Sequence, residues 1–142
     1  MANTDSQKGK TLSGLLKEKF DTQIAGKPVA LYTLTNKNGA EICITNFGGI
    51  VVSLMIPDAF GKMTDVVLGH ESIEDYLNTP EKFLGALIGR YGNRIKKGTF
   101  VLDGIRYNIR SNNPDCVLHG GIVGYNNVVW DARQLDEQTL EL

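Results

Sequence analysis

The chain has no excess of one charge: 15 Lys and Arg stand against 16 Asp and Glu, for a formal net charge of −1 over 142 residues. Global attraction to nucleic acid or to anionic lipid is therefore not expected. Cysteine is scarce, with only Cys43 and Cys116 far apart in sequence, and neither a CxxC pair nor a Cys/His cluster exists. That argues against a zinc ribbon or a thioredoxin-type motif. The two thiols read as small buried or half-buried groups, and the sequence leaves open whether they pair. No apolar run reaches the ~18 residues of a membrane span, and the polar start, Met1 to Lys10, lacks the apolar core of a secretory signal. A cytoplasmic location is the default expectation, with a periplasmic one as the alternative if a signal has been removed.

Much glycine is present, and it is spread out. The 16 glycines fall at turns rather than in one linker. Residues 1–12 read as a disordered leader and residues 13–142 as one domain. Ser13 is placed to cap a short helical turn running to Phe20. Val29 to Thr35 and Glu41 to Thr45 read as strands around the Asn36-Lys-Asn-Gly39 turn. Ile50 to Ile56 follows the Gly48-Gly49 pair, and Val66 to Leu68 reads as a short buried strand. Ser72-Ile-Glu-Asp75 has the form of a helix cap, and Pro80 ends what it opens. Thr99 to Leu102 and Ile105 to Ile109 flank the second hairpin signal, Asp103-Gly104. Val128 to Trp130 and Thr139 to Leu142 complete an all-β pattern, and a β-sandwich is the expected class.

Three segments carry chemistry: Gly89 to Ile95, Val117 to Gly121, and Gly124 to Trp130. Arg90, Arg94, Lys96 and Lys97 crowd the first. A solvated basic edge explains them most simply, and a polar ligand clamp comes next, because Asn93 offers donor and acceptor and Arg94 a planar fork of donors. The segment lacks the spacing of a phosphate-binding glycine loop. His119, between an apolar pair and two glycines, is the best candidate for proton transfer near neutral pH, although a lone histidine is more often structural. His70 reads as structural. Trp130 reads as core before it reads as a platform for stacking a sugar.

In order along the chain, these segments resemble the aldose 1-epimerase (galactose mutarotase) family. The likeness begins at Thr45-Asn-Phe-Gly-Gly-Ile50 and continues through Pro57-Asp58, Gly61, Thr64 to Gly69 and Ser72 to Tyr76. It runs on through Ile88 to Ile95, Gly98 to Gly104, Leu118-His-Gly-Gly121, Gly124-Tyr125 and Trp130-Asp131. The resemblance implies a β-supersandwich and interconversion of the α and β anomers of hexoses such as galactose and glucose, with no metal or organic cofactor. By the same resemblance, Asn93 and Arg94 match a pair that contacts sugar hydroxyls. His119 matches an active-site histidine beside the reacting centre.

The family's principal acid, a second histidine in an Asn-His-x-Tyr type of segment, and its base, a glutamate, both lie further along than residue 142. Smaller departures are His70, where an aromatic is commoner, and Gly92, where a small residue with a β-carbon is usual. The chain is thus expected to be an N-terminal portion, incomplete at its C-terminal end, since Leu140 to Leu142 stops inside a strand pattern. Little activity is expected of it alone. A non-catalytic carbohydrate-binding module is the alternative, and self-association through exposed strand edges is expected. A phosphorylated hexose stays open as the ligand.

Overall fold

The computed structural model describes residues 9–142, so most of the expected leader, residues 1–8, lies outside the described residues. The described part of that leader is packed: Thr11 is buried, and Lys10 bridges Leu16. Ser13 does not cap a helix. Its hydroxyl meets Thr11 Oγ1 at 3.0 Å, and Lys17–Phe20 form one 3₁₀ turn without a side-chain cap. The turn serves to bury Phe20, which lies wholly inside the core. Burying such a side chain contributes about 1.5–3 kcal/mol.

From there the chain is almost entirely β. In order come β1 (Thr22–Ile24), β2 (Lys27–Val29), β3 (Leu31–Thr35), β4 (Glu41–Thr45), β5 (Ile50–Pro57) and β6 (Met63–Asp65). The one α-helix among the described residues, α1 (Ile73–Asn78), follows. Then come β7 (Arg94–Lys96), β8 (Thr99–Leu102), β9 (Ile105–Asn108), β10 (Cys116–Leu118), β11 (Arg133–Gln134) and β12 (Leu140–Glu141). Strands β3 to β6 form an antiparallel meander in sequence order, and the remaining strands pair two by two, β7 with β10 among them.

The hairpin signals act as expected. Asn36 Oδ1 accepts the N–H groups of Asn38 and Ala40, which closes the β3–β4 turn. Asp103 and Gly104 both have positive φ, 51° and 76°, as a two-residue type I′ turn requires. The β8–β9 hairpin that they close stacks Phe100 on Tyr107 across the strands, at 5.3 Å, and leaves Val101, Leu102 and Ile105 exposed. Ser72 caps α1, its hydroxyl accepting the Asp75 N–H at 3.2 Å.

Val66 to Leu68 departs from expectation: it is not a strand, and Val66 and Leu68 are exposed. The cause is Asp65. Its Oδ1 accepts the N–H of Leu54 (3.0 Å) and of Val67 (3.1 Å), so a side chain takes a ladder position and turns the backbone away. Burial alone would raise the Asp65 pKa, but the Ser53 hydroxyl together with the N–H groups of Leu54, Val67 and Val66 outweighs it and holds the carboxyl below its usual range. Val128 to Trp130 contributes only a single bridge, Phe47 to Val129.

One face of the meander, with α1, encloses the core of Phe20, Val29, Leu31, Cys43, Phe47, Ile50, Val52, Ile73 and Tyr76. In β4 the fully buried side chains are Cys43 and Thr45, whereas Ile42 and Ile44 face the other way and are half-buried. The two cysteines are both buried and unpaired.

Burial, with help from the Glu41 charge, pushes the Cys43 thiol up to about 11. The folded chain therefore keeps this proton after the unfolded chain, near its ordinary 9.0, has lost it. The resulting stabilisation is complete below pH 9 and is lost as pH rises from about 9 through 11. Burial also raises Tyr76, which acts in the same sense. Thermal melts from pH 8 to 11 should fall less steeply for Cys43→Ala than for the wild type; parallel curves would exclude the thiol as a source of the alkaline loss.

Candidate functional site

The site grows from the end of one short ladder. Strands β7 and β10 pair Lys96 with Cys116, Ile95 with Val117 and Arg94 with Leu118, so the next pair in register is Asn93 with His119. Half of that pair is an ordinary ladder bond, the His119 N–H donating to the Asn93 carbonyl at 2.9 Å. The return bond is different. The Asn93 N–H donates to His119 Nδ1 at 3.0 Å, a ring nitrogen standing where a carbonyl would be. Both residues have left-handed backbones, φ 57° and 51°, which turn the chain out of the ladder and bring the imidazole back over it. Asparagine tolerates that conformation better than most residues.

Arg94 completes the cluster, its Nη1 donating to Asn93 Oδ1 at 3.1 Å. The three residues singled out in the sequence are thus brought together in one place. The other basic residues are not drawn into it. Arg90 lies over the Tyr125 ring at 5.7 Å. Lys96 and Lys97 are exposed. Arg94 also borders a trough of about 460 Å³ with Tyr91, Ile95, Lys96, Phe100 and Ile109, but Asn93 and His119 do not line it.

What holds the cluster was not legible in the motifs. Asn112 acts as a substitute peptide group: its Oδ1 accepts the Leu118 N–H at 2.8 Å, and its Nδ2 donates to the carbonyls of Leu118 (3.0 Å) and Gly121 (3.1 Å). This clamps the turn that carries His119. Phe83 meets the His119 ring edge to face, with centroids 4.8 Å apart. Neither residue sits in a segment that draws notice, and Phe83 lies many positions from His119. Behind the turn, Gly120 passes against the Gly89 carbonyl so closely that a β-carbon would lie 1.8 Å from its oxygen. That carbonyl also accepts the Tyr125 N–H at 3.2 Å.

Trp130 is half-buried and tied at both ends. Its indole N–H donates to the Tyr125 carbonyl (3.3 Å), and its backbone N–H donates to the Asn46 carbonyl (2.9 Å). His70 stands apart from the cluster, edge-on to Tyr76 at 4.8 Å, with its buried Nε2 unpartnered among the described residues. Among the described residues no three His, Cys, Asp or Glu side chains are grouped to hold a metal ion. Among the described residues no helix is long and apolar enough to cross a membrane.

Comparison with known proteins bears on the fold and the family. A family model described as aldose 1-epimerase matches residues 30–142. A probable aldose 1-epimerase from Arthroderma benhamiae is 36% identical, aligned with 96% of this chain and 32% of its own length. The galactose mutarotase of Bos taurus is 42% identical over 67% of this chain and 28% of its own. Among solved structures, an aldose epimerase homologue from C. elegans superposes with a TM-score of 0.71 at 31% identity, covering 77% of this chain and 33% of that one. Galactose 1-epimerase from Lactobacillus acidophilus superposes with a TM-score of 0.66 at 28% identity, covering 79% of this chain and 32% of that one. The chain spans about a third of the length of the relatives it matches. A nearly all-β, galactose mutarotase-like fold and a family match over most of the described residues lead to one conclusion: this chain belongs to the aldose 1-epimerase family.

Proposed function

We propose that Asn93, Arg94 and His119 form the sugar-gripping part of an aldose 1-epimerase site, with a neutral hexose such as galactose or glucose as ligand. The observation that supports this reading is the meeting of the three residues at the end of the β7–β10 ladder, His119 on the Asn93 backbone and Arg94 on the Asn93 side chain. Exchange of anomers requires the anomeric hydroxyl to lose its proton and the ring oxygen to gain one. The C1–C2 bond then rotates, and the ring closes on the other carbonyl face. An acid and a base must flank one ring, while fixed hydrogen bonds to the remaining hydroxyls hold it in register. In this reading Asn93 and Arg94 supply the register and His119 lies beside the reacting centre.

Within residues 1–142 the cluster contains one histidine, and His70 stands away from it. A polypeptide of these residues alone is therefore expected to bind without appreciable turnover, since each missing acid or base typically contributes ~10²–10⁴-fold. Calorimetric titration with galactose and polarimetry of freshly dissolved α-galactose, run on the same preparation, separate the readings. The expected result is saturable binding with no rate enhancement. Arg94→Ala should weaken that binding about 10- to 100-fold, as loss of a hydrogen bond from a charged donor does. Binding unaffected by Arg94→Ala would remove the cluster from the site, and full turnover would show that the acid–base pair is present after all.

A further inference from the structure

We infer that His119 is held as its Nε2–H tautomer and that the Asn93–Arg94–His119 cluster faces a ligand chiefly through N–H donors, so the groups these donors take up are acceptor oxygens. The inference rests on the sugar-site reading for the identity of the ligand, but not for the arrangement of hydrogens. His119 Nδ1 accepts the Asn93 N–H at 3.0 Å, which places the proton of a neutral imidazole on Nε2. That nitrogen has no partner among the described residues and is not among the buried unpartnered atoms. It is a free N–H pointing away from the ladder bond.

Asn93 is oriented just as firmly. Arginine has no acceptor, so the oxygen of the Asn93 amide is the atom that faces Arg94 Nη1 at 3.1 Å, and the Nδ2 hydrogens are left over. Arg94 itself carries only donors. Three neighbouring groups therefore present N–H hydrogens, and none presents a free base.

Two consequences follow. Ligand atoms opposite these donors are hydroxyl or ether oxygens receiving hydrogen bonds, and an oxygen that gains negative charge as a ring opens would be held more strongly than a neutral one. The group that accepts the proton of the anomeric hydroxyl lies outside this cluster. His119 acts here by donation.

Phe83 is the positioning residue for this arrangement. Its ring meets the His119 ring at 4.8 Å and 65°, which opposes rotation of the imidazole about its own axis. Without that contact the ring can turn over, which carries Nδ1 away from the Asn93 N–H and sets a ring carbon in its place, and nothing then selects the tautomer. The Asn93 N–H selects the tautomer, and Phe83 keeps the ring where the selection applies.

Long-range ¹H–¹⁵N correlation spectra of the ligand-free chain read the tautomer directly. The chain has two histidines, and His70→Gln leaves only His119 to assign. The expected spectrum is a single Nε2–H tautomer for His119. An Nδ1–H tautomer, or a rapidly exchanging mixture of the two, would overturn the inference. Phe83→Leu keeps an apolar side chain but removes the ring, and it should convert the single tautomer to a mixture. An unchanged tautomer in that variant would remove Phe83 from the role, and the wild-type spectrum decides the rest whether or not the variant folds. Adding galactose should then shift the His119 Nε2 resonance. An unmoved resonance with the tautomer intact would sink the sugar-site reading and leave the donor assignment standing.

Discussion

Replacing Gly120 by alanine is expected to cost at least ~4–5 kcal/mol and to lower the melting temperature by more than about 10 °C. The substitution meets two obstacles together. The backbone has φ +97°, which side chains rarely adopt, and the added β-carbon would lie 1.8 Å from the Gly89 carbonyl oxygen and 2.7 Å from its carbon. The three nearest obstructing atoms are all main chain, Gly124 Cα at 3.2 Å among them, so no side chain can swing aside. Relief requires the 89–93 segment to part from the 119–124 turn, and those are the two strips that bring Asn93 to His119. Any galactose binding should disappear with the stability. Gly104→Ala is the control: it also has positive φ, +76°, but finds nothing within 4 Å, and should cost about 1 kcal/mol. Equal melts for the two variants would show that the contact with Gly89 is not what makes Gly120 necessary.

The second large effect is expected at Asn46, which is buried and joins three strips of chain. Its Oδ1 accepts the Ala30 N–H at 2.9 Å, and its Nδ2 donates to the carbonyls of Pro28 (3.0 Å) and Trp130 (2.9 Å). Asn46→Ala leaves one backbone donor and two backbone acceptors without partners in a site largely shut off from water. At about 1–3 kcal/mol for each stranded group, partly relieved by water entry, a total of about 3–5 kcal/mol is expected. That is a large share of a typical domain's stability of ~5–15 kcal/mol. Denaturant unfolding checks the value. Nearby, Lys27 and Asp131 form an ion pair at 2.9 Å, with side chains 50% and 93% exposed. Asp131→Asn should therefore change stability by no more than about 1 kcal/mol. If the exposed pair mattered more than Asn46, the strips would be held by charge rather than by satisfied backbone groups.

Asn46 also illustrates what a sequence hides. It sits within the Thr45-Asn-Phe-Gly-Gly motif that carries the family likeness, yet no local pattern reveals that its amide reaches residues 16, 18 and 84 positions away. Phe83 is hidden for the same reason, since it meets the His119 ring from a distant part of the chain. Asn112 works closer to home, on Leu118 and Gly121, but no turn motif in its own segment announces that clamp.

Local chemistry, by contrast, was readable wherever a few adjacent residues decide the outcome. Asp103-Gly104 needs only its own positive φ values to close β8 onto β9, and Ser72 needs only Asp75 to cap α1. The cluster residues were recognisable because their chemical types suit a polar ligand and their segments resemble a family. Long-range competition settled the rest. The pleat of β4 guarantees alternation, but not which side faces inward. Packing against Phe20 and Val52 put Cys43 in the core and Ile42 on the half-open face. Val66 to Leu68 is apolar enough for a strand, but the Asp65 carboxylate captures the Leu54 N–H and ends the ladder first. Sequence alone determined the turns, the β class and the identity of three polar residues. Only tertiary structure decided that Asn93 would lend its backbone N–H to His119, because that bond requires two strands from distant parts of the chain to meet in a single register.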